Sequence, residues 1–282
     1  MSQVFRGSEA LAGGALTRGQ LRWNYRKIHH DVYLPKDASR TLWDNISAAW
    51  LWSGRRGVIT GRAAAALHGA KWVDDFAPVE LLGPFNHPPP GVIVRRERII
   101  AEEITELAGV PVTTPARTAF DLGRHLPRNL AVRHLDALCA ATGLVEYDVQ
   151  PLFGRYQGAR GTRSCRKALC LMDAGAASPR ESWLRLLLID GGLPRPATQI
   201  PVRDATGHLL AYLDLGWEGP MVAVEYDGDQ HRTERGQYVK DIRRWEMVED
   251  LGWRVVRVVK EDRPSRILER VRDALAARGF AT

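Results

Sequence analysis

Residues 178–277 show a regular succession of helix-type and strand-type patterns. A first helix is predicted to begin at Ser178, a capping residue that precedes Pro179, and to end at Gly191-Gly192. Strand patterns lie at 198–203, 209–215, 221–226 and 253–259, and further helix patterns lie at 234–251 and 264–278. The order αβββαβα predicts an α/β fold for this part of the chain.

Two of these strand patterns contain a carboxylate. Asp214 lies inside an apolar run and Glu225 ends the next one, so a short turn would place them side by side. The twofold period of a strand puts Asp227 on the face of Glu225, and Glu181 lies on the preceding helix. Buried carboxylates need a partner or a cation. We therefore predict a Mg²⁺ site, with Mn²⁺ as the alternative ion, that polarises a phosphate; solvated acids beside turns are the alternative interpretation.

The spacing of these residues resembles the PD-(D/E)xK nuclease superfamily, and most closely its very-short-patch-repair (Vsr) endonuclease branch. The resemblance rests on Glu181, Asp214, the run 225–231 (Glu-Tyr-Asp-Gly-Asp-Gln-His), Asp241, Arg244 and the run 252–257 (Gly-Trp-Arg-Val-Val-Arg). It implies a restriction-endonuclease-like core and Mg²⁺-dependent hydrolysis of phosphodiester bonds. Asp214 and Glu225 would be the metal ligands, and Glu181 would orient water or the metal.

One position departs from the superfamily pattern. The usual E-x-K would place lysine at 227, where this chain has aspartate, and Asp227 and His231 match positions that the Vsr-like branch uses instead. His231 would accept or relay a proton at neutral pH, and Lys240 or Arg243 would stabilise charge on the phosphorane. The implied catalytic residues are Glu181, Asp214, Glu225, Asp227, His231 and Lys240.

Positive charge is concentrated in the N-terminal part of the chain. Residues 1–172 contain 23 basic and 15 acidic residues, a net charge of +8, whereas residues 173–282 contain 17 and 18, a net charge of −1. A basic part joined to a nearly neutral one favours polyanion binding by the former. An arginine-rich genome composition is the alternative explanation.

A second resemblance covers most of residues 8–145. The sequence predicts a helix over 9–23, in which Thr17 can cap a new turn, and a hairpin over 25–34. With the runs 60–69 and 113–121, these residues resemble AbiEi-type antitoxins of type IV toxin–antitoxin systems. The resemblance implies a winged-helix reader with a basic wing; a solvated basic face is the alternative. The residues that would contact phosphates or base edges are Arg18, Arg22, Arg26 and Lys27.

The predicted organisation has three parts. Residues 1–75 form a winged-helix-like α+β domain, residues 76–172 an AbiEi-like α+β region with a linker at Gly154–Gly161, and residues 173–282 the nuclease-like α/β domain. Three cysteines exclude a disulfide scaffold, and no apolar run approaches the roughly 20 residues of a membrane span. The N-terminus lacks a secretory signal pattern, so we expect a cytoplasmic protein.

These features predict a DNA endonuclease that uses Mg²⁺ and positions DNA with its basic N-terminal module. The first alternative is a DNA-binding transcriptional regulator, or antitoxin-like protein, with an inactive nuclease-like domain. The second alternative is a protein-interaction scaffold. DNA is the expected partner, no membrane is expected, and a second copy of the chain or a toxin-type protein is left open as a further partner.

Overall fold

The computed structural model describes residues 3–227 and 245–280. The chain divides into two compact units, an N-terminal unit, Met1–Met172, and a C-terminal unit, Asp173–Thr282. Within the described ranges, no helix is both long and apolar enough to cross a membrane.

The N-terminal unit begins with a small winged-helix arrangement. Two helices precede a hairpin whose second strand pairs with the first strand of the chain, giving an antiparallel sheet of order β1-β3-β2. The elements are β1 (Phe5–Arg6), α1 (Gly7–Ala12), α2 (Arg18–Asn24), β2 (Tyr25–His29) and β3 (Val32–Pro35).

The prediction of one helix over 9–23 is wrong, because the chain turns between Ala12 and Arg18. Gly14 adopts a φ of +70° in this turn, a conformation that glycine accepts without steric cost. The predicted cap at Thr17 is confirmed. Its Oγ1 accepts from the backbone N of Gln20 at 3.2 Å, and Gln20 Oε1 accepts from the backbone N of Thr17 at 2.8 Å.

A five-stranded sheet of order β6-β5-β4-β8-β7 forms the rest of this unit, with helices packed around it. Its core contains Ile59, Leu81 and Val112, which are fully buried on neighbouring strands. The strands are β4 (Val58–Thr60), β5 (Val79–Leu82), β6 (Val92–Arg95), β7 (Ile104–Leu107) and β8 (Val110–Thr113). The helices are α3 (Leu42–Trp52), α4 (Gly61–Leu67), α5 (Pro115–His125), α6 (Arg128–Thr142), α7 (Glu146–Arg155) and α8 (Thr162–Cys170), with a 3₁₀ turn at Ala101–Glu103.

The predicted linker at Gly154–Gly161 is also wrong, since this stretch connects α7 to α8 inside the N-terminal unit. Arg124 Nε donates to the carbonyl oxygen of Arg160 at 2.8 Å. A Cβ atom at Gly161 would lie 2.4 Å from the carbonyl oxygen of Arg124, and the φ of Gly161 is +80°. The glycine here therefore permits close packing against α5 rather than separating two domains.

The C-terminal unit is a mixed α/β arrangement around a four-stranded sheet of order β12-β11-β10-β9. Strands β11 and β12 are parallel, and the other pairs are antiparallel. The described elements follow the predicted order: α9 (Pro179–Asp190), β9 (Ala197–Arg203), β10 (Leu209–Trp217), β11 (Val222–Tyr226), helical residues 245–250 (α10), β12 (Arg254–Val258) and α11 (Pro264–Ala276). Leu184 and Ile267 pack from the two flanking helices onto Leu215 and Val224 of the sheet.

Candidate nucleic-acid interface and acidic site

Helix α2 presents two arginines to solvent. The capping box at Thr17 starts the helix, and Leu21 is its buried anchor. Arg18 and Arg22 are four residues apart, so they lie on the same exposed side of the helix. Trp23 is 71% exposed beside them, and the Arg22 guanidinium lies 5.8 Å from its ring centroid.

The hairpin that follows α2 adds two more exposed cations. Arg26 and Lys27 lie on β2, whose register against β3 shifts between Lys27 and His29. Arg26 Nη2 donates to the carbonyl oxygen of Ala38 at 2.6 Å, which restricts its side chain without neutralising its charge. His29 itself is buried, and burial together with the Arg40 charge lowers its pKa to about 4.

The acidic groups near this surface are engaged elsewhere. Glu9 accepts from Arg55 Nη2 at 2.7 Å, and Asp31 accepts from the backbone N of Ser8 at 2.8 Å and lies 3.3 Å from Arg6 Nε. The hydrogen bond from Arg55 lowers the pKa of Glu9. Over residues 3–227 and 245–280, no carboxylate forms an ion pair with Arg18, Arg22, Arg26 or Lys27. This surface can therefore supply four exposed cations to a polyanion.

The two sequence runs that resembled AbiEi-type antitoxins meet in the same part of the N-terminal unit. Thr60 Oγ1, at the end of β4, donates to Asp121 Oδ2 on α5 at 2.7 Å. His68 Nε2, just beyond α4, lies 2.7 Å from the carbonyl oxygen of Thr113. Thr113 and Thr118 hydroxyls lie 2.6 Å apart. The runs are thus joined by buried hydrogen bonds between a strand and two helices.

Arg117 is the centre of a buried charge network on α5. Its Nη1 lies 2.7 Å from Glu103 Oε2 and its Nε 3.0 Å from Asp121 Oδ2. Arg124 Nη1 lies 2.7 Å from Glu97 Oε2. Burial opposes the ionisation of Glu97, but hydrogen bonds from His125 and Arg124 outweigh it and lower its pKa to about 2. Burial raises the pKa of Asp121 despite the charge of Arg117.

Glu97, Asp121 and His125 bring their ligand atoms within 4.8 Å of one another, and they are the only three His, Cys, Asp or Glu side chains in the described ranges to do so. The guanidinium groups of Arg117 and Arg124 already contact these carboxylates at ion-pair distance. A divalent cation would have to displace two fixed positive charges. The group therefore fits an ion-pair network better than a metal site.

In the C-terminal unit, Asp214 and Glu225 are neighbours on β10 and β11. The register pairs Leu215 with Val224, and Glu225 Oε1 accepts from the backbone N of Asp214 at 2.7 Å. Asp214 Oδ2 accepts from the backbone N of Tyr226 at 3.3 Å. The side-by-side placement that the sequence analysis expected is present.

Glu181 lies close to this pair from α9. Burial, followed by the negative charge of Asp214, raises its pKa. Its Oε2 accepts from the backbone N of Ala177 at 2.8 Å, and Ser178 Oγ caps the helix through the backbone N of Glu181 at 3.2 Å. Two adjacent carboxylates are a donor set that Mg²⁺ can take with water completing its shell, although the three acids do not place three oxygens within 4.8 Å of one another in the structure.

The remaining predicted catalytic residues divide into two groups. Asp227 is exposed just after β11, and its backbone N donates to the carbonyl oxygen of Val258 at 2.8 Å. His231 and Lys240 lie outside the described residues, as does Arg243.

Comparison with known proteins finds a match for the central part of the chain. Residues 57–174 match the AbiEi antitoxin C-terminal domain. The match begins at β4 and continues through α8, so it contains both runs joined by Thr60 and Thr113 and the whole Arg117 network. It supports the resemblance to AbiEi-type antitoxins. The Vsr-like character of residues 173–282 stays a prediction.

Two proteins of Mycobacterium tuberculosis are similar over most of the chain. Uncharacterized protein Rv2248 of strain H37Rv and Uncharacterized protein MT2308 of strain CDC 1551 are each 27% identical over 248 residues. The alignment covers 87% of this chain and 90% of each relative. No solved structure matches the chain.

Sequence analysis missed the role of the buried charges in the matched domain. Arg117 and Asp121 stand in one of the runs that carried the resemblance, and their i,i+4 spacing on a helix is a signal for an ion pair. Glu97 and Glu103 come from a segment between strands, and nothing in the local pattern indicates that they reach α5.

Proposed function

We propose that this protein is a DNA-binding regulator of the antitoxin type, which binds DNA through α2 and the β2–β3 hairpin of its N-terminal unit. The AbiEi match at residues 57–174 supports this function better than the endonuclease that the sequence pattern favoured first. The matched residues belong to the same compact unit as the basic hairpin. A toxin-type protein partner is part of the same proposal.

The observation that carries the proposal is a set of exposed cations that form no ion pair with any described carboxylate. Arg18 and Arg22 project from one side of α2, and Arg26 and Lys27 extend the set onto the adjoining strand. A short helix followed by a basic hairpin is the arrangement with which winged-helix proteins reach a groove and its flanking phosphates. Nearby carboxylates are held by Arg55, Ser8 and Arg6, so they do not cancel this charge.

The test is fluorescence anisotropy of the full-length chain on labelled duplex DNA over a range of salt concentrations. Each phosphate contact contributes about 0.9 to the slope of log K against log salt. The variant R18Q/R22Q/R26Q/K27Q removes four such contacts, so it should reduce that slope by about 3.6 and weaken binding at least about a hundredfold.

The matched control is K71Q/R98Q/R163Q/K167Q. It removes four exposed positive charges from the same unit at positions outside α2 and the hairpin. We expect this control to change the slope by less than about 1. Equal losses of salt slope and affinity in the two variants would mean that binding depends only on net charge. That result would refute the proposed interface.

A second candidate function is metal-dependent hydrolysis of phosphodiester bonds by the C-terminal unit. The adjacency of Asp214 and Glu225 and the raised pKa of Glu181 favour it. In this proposal the two carboxylates would hold Mg²⁺ or Mn²⁺, which would polarise the phosphate and activate water. Glu181, Asp227, His231 and Lys240 would complete the site.

Supercoiled, linear and mismatched DNA, each with Mg²⁺, Mn²⁺ or EDTA, are the substrates to use. Cleavage that requires metal and disappears in both D214A and E225A would establish the hydrolase, provided that circular dichroism shows both variants folded. Salt-dependent binding without cleavage of any substrate would contradict the hydrolase and support the DNA-binding regulator.

A further inference from the structure

Two arginines and a histidine lie where α4 packs against α6, close enough for the charges of the arginines to act on the histidine. Arg62 lies in the first turn of α4, and Arg133 and His134 are consecutive on α6. His134 is 2% exposed, and its Nε2 atom has no hydrogen-bond partner in the described ranges. The Nε atoms of Arg62 and Arg133 are likewise buried and find no acceptor there.

The charges in this group are all of one sign. In residues 3–227 and 245–280, neither Arg62 nor Arg133 forms an ion pair with a carboxylate. Burial and the charge of Arg62 lower the pKa of Arg133. Burial, with the charges of both arginines, lowers the pKa of His134 to about 3, so its ring is neutral near pH 7.

The neighbouring helix α5 shows how this unit otherwise accommodates buried arginine. Arg117 contacts Glu103 and Asp121 there, and Arg124 contacts Glu97. Partly buried cations that repel each other and lack acceptors are unfavourable unless something supplies negative charge. No carboxylate of the described chain forms an ion pair with Arg62 or Arg133, so an anion from outside the chain would suit this group.

We propose that Arg62, Arg133 and His134 form a binding site for a phosphate oxyanion. Two guanidinium groups offer planar sets of donors that match phosphate geometry, and their charges make these hydrogen bonds strong. Neutral His134 adds one more donor when its hydrogen is on Nε2. The phosphate comes either from a free phosphorylated small molecule or from a nucleic-acid backbone, and the two sources share this chemistry. The site uses none of the residues of the α2–hairpin surface.

The first experiment is thermal unfolding of the full-length chain in increasing inorganic phosphate, with chloride at matched ionic strength as the reference. An anion that binds the folded state raises Tm in proportion to the logarithm of its concentration above Kd. R62Q and R133Q should each weaken the apparent phosphate affinity about tenfold or more. R163Q, which removes an exposed charge from α8, should retain the wild-type response.

Unfolding without phosphate separates a binding site from a structural one. If Arg62 and Arg133 repel each other in the empty site, R62Q and R133Q unfold at the wild-type temperature or above it. A lower Tm for both variants in chloride alone would mean that these arginines stabilise the fold, and it would contradict the proposal.

DNA binding by the same variants identifies the source of the phosphate. A salt slope that falls by about 1 in R62Q and R133Q, but not in R163Q, assigns the site to the nucleic-acid backbone. If R62Q and R133Q lose the stabilisation by phosphate but keep the wild-type salt slope of DNA binding, the site is assigned to a small phosphorylated ligand. The site is refuted if neither the phosphate response nor the slope distinguishes R62Q and R133Q from R163Q. Binding through α2 would survive that result, because R18Q/R22Q/R26Q/K27Q tests it separately.

Discussion

The N-terminal unit uses arginine in two contrasting environments. On α2, Arg18 and Arg22 are exposed and form no ion pair within the described ranges. On α5, Arg117 and Arg124 are almost completely buried, and carboxylates lie at 2.7 Å from each. The two helices belong to the same unit, yet their arginines face water in one case and acids in the other.

This contrast separates charge that is available to a ligand from charge that holds the fold together. A buried, paired guanidinium is costly to remove because its partners stay behind without a counter-charge. An exposed cation contributes little to stability, because water solvates it in both the folded and the unfolded state. The total charge of the unit is therefore a poorer guide to ligand binding than whether each arginine is paired with a carboxylate.

The largest effect on stability is expected at Arg117. R117M leaves Glu103 and Asp121 buried without their common cation, and it should lower the free energy of unfolding by about 3–5 kcal/mol. Urea titration followed by circular dichroism measures the change. R18M makes the same substitution at an exposed site and should stay within about 0.5 kcal/mol of wild type. Similar losses in the two variants would mean that pairing in the core does not set Arg117 apart from an exposed arginine.

The acid limb of the stability curve tests Glu97. Its folded pKa is about 2, below the ordinary glutamate value of 4.5, so the ionised carboxylate stabilises the fold above the unfolded pKa. That contribution is lost as the pH falls from about 4.5 through about 2, and it amounts to about 3 kcal/mol. E97Q should lack this part of the decline. Parallel wild-type and E97Q curves between pH 5 and 2 would show that Arg124 and His125 do not hold Glu97 ionised.

The cap of α2 has a smaller effect. T17A removes the acceptor for the backbone N of Gln20 and should cost about 1 kcal/mol of unfolding free energy. Because Arg18 and Arg22 depend on α2 for their placement, DNA affinity should fall too. T17S, which retains the hydroxyl, should restore both values. If T17S did not restore stability and DNA affinity, the loss in T17A would be due to the threonine methyl group and not to capping.

The smallest effect on stability is expected at Arg22. R22Q should leave the free energy of unfolding within about 0.5 kcal/mol of wild type, while DNA affinity falls several-fold at low salt. Fluorescence anisotropy measures the DNA affinity, and urea titration of the same preparation measures the free energy of unfolding. A stability loss comparable to that of R117M would place Arg22 among the structural arginines.

Local patterns predicted the order of the described elements in the C-terminal unit and failed where packing decided the outcome. The strand patterns at 198–203 and 221–226 lie within one residue of the observed strands β9 (Ala197–Arg203) and β11 (Val222–Tyr226), because turn residues bound both runs. The supposed linker at Gly154–Gly161 looks flexible by composition, yet its glycine lies against the backbone of Arg124. Composition alone does not distinguish a glycine that frees the chain from one that permits close contact.

The candidate sites show the same limit. Asp214 and Glu225 are close in sequence and joined by a short connection, so strand periodicity was enough to place them together. Arg62 is distant in sequence from Arg133 and His134, and only the packing of α4 on α6 brings it near them. Local periodicity contains no information about contacts of that range.

By itself, the sequence determined the order of the elements, the capping of α2, the adjacency of the two strand carboxylates and the basic character of the first 172 residues. These depend on neighbours within a few residues, where backbone geometry and side-chain chemistry act directly. Only the tertiary structure decided which arginines are paired. Ion pairing requires charges from separate segments to meet at about 3 Å, and that distance is set by how helices and strands pack.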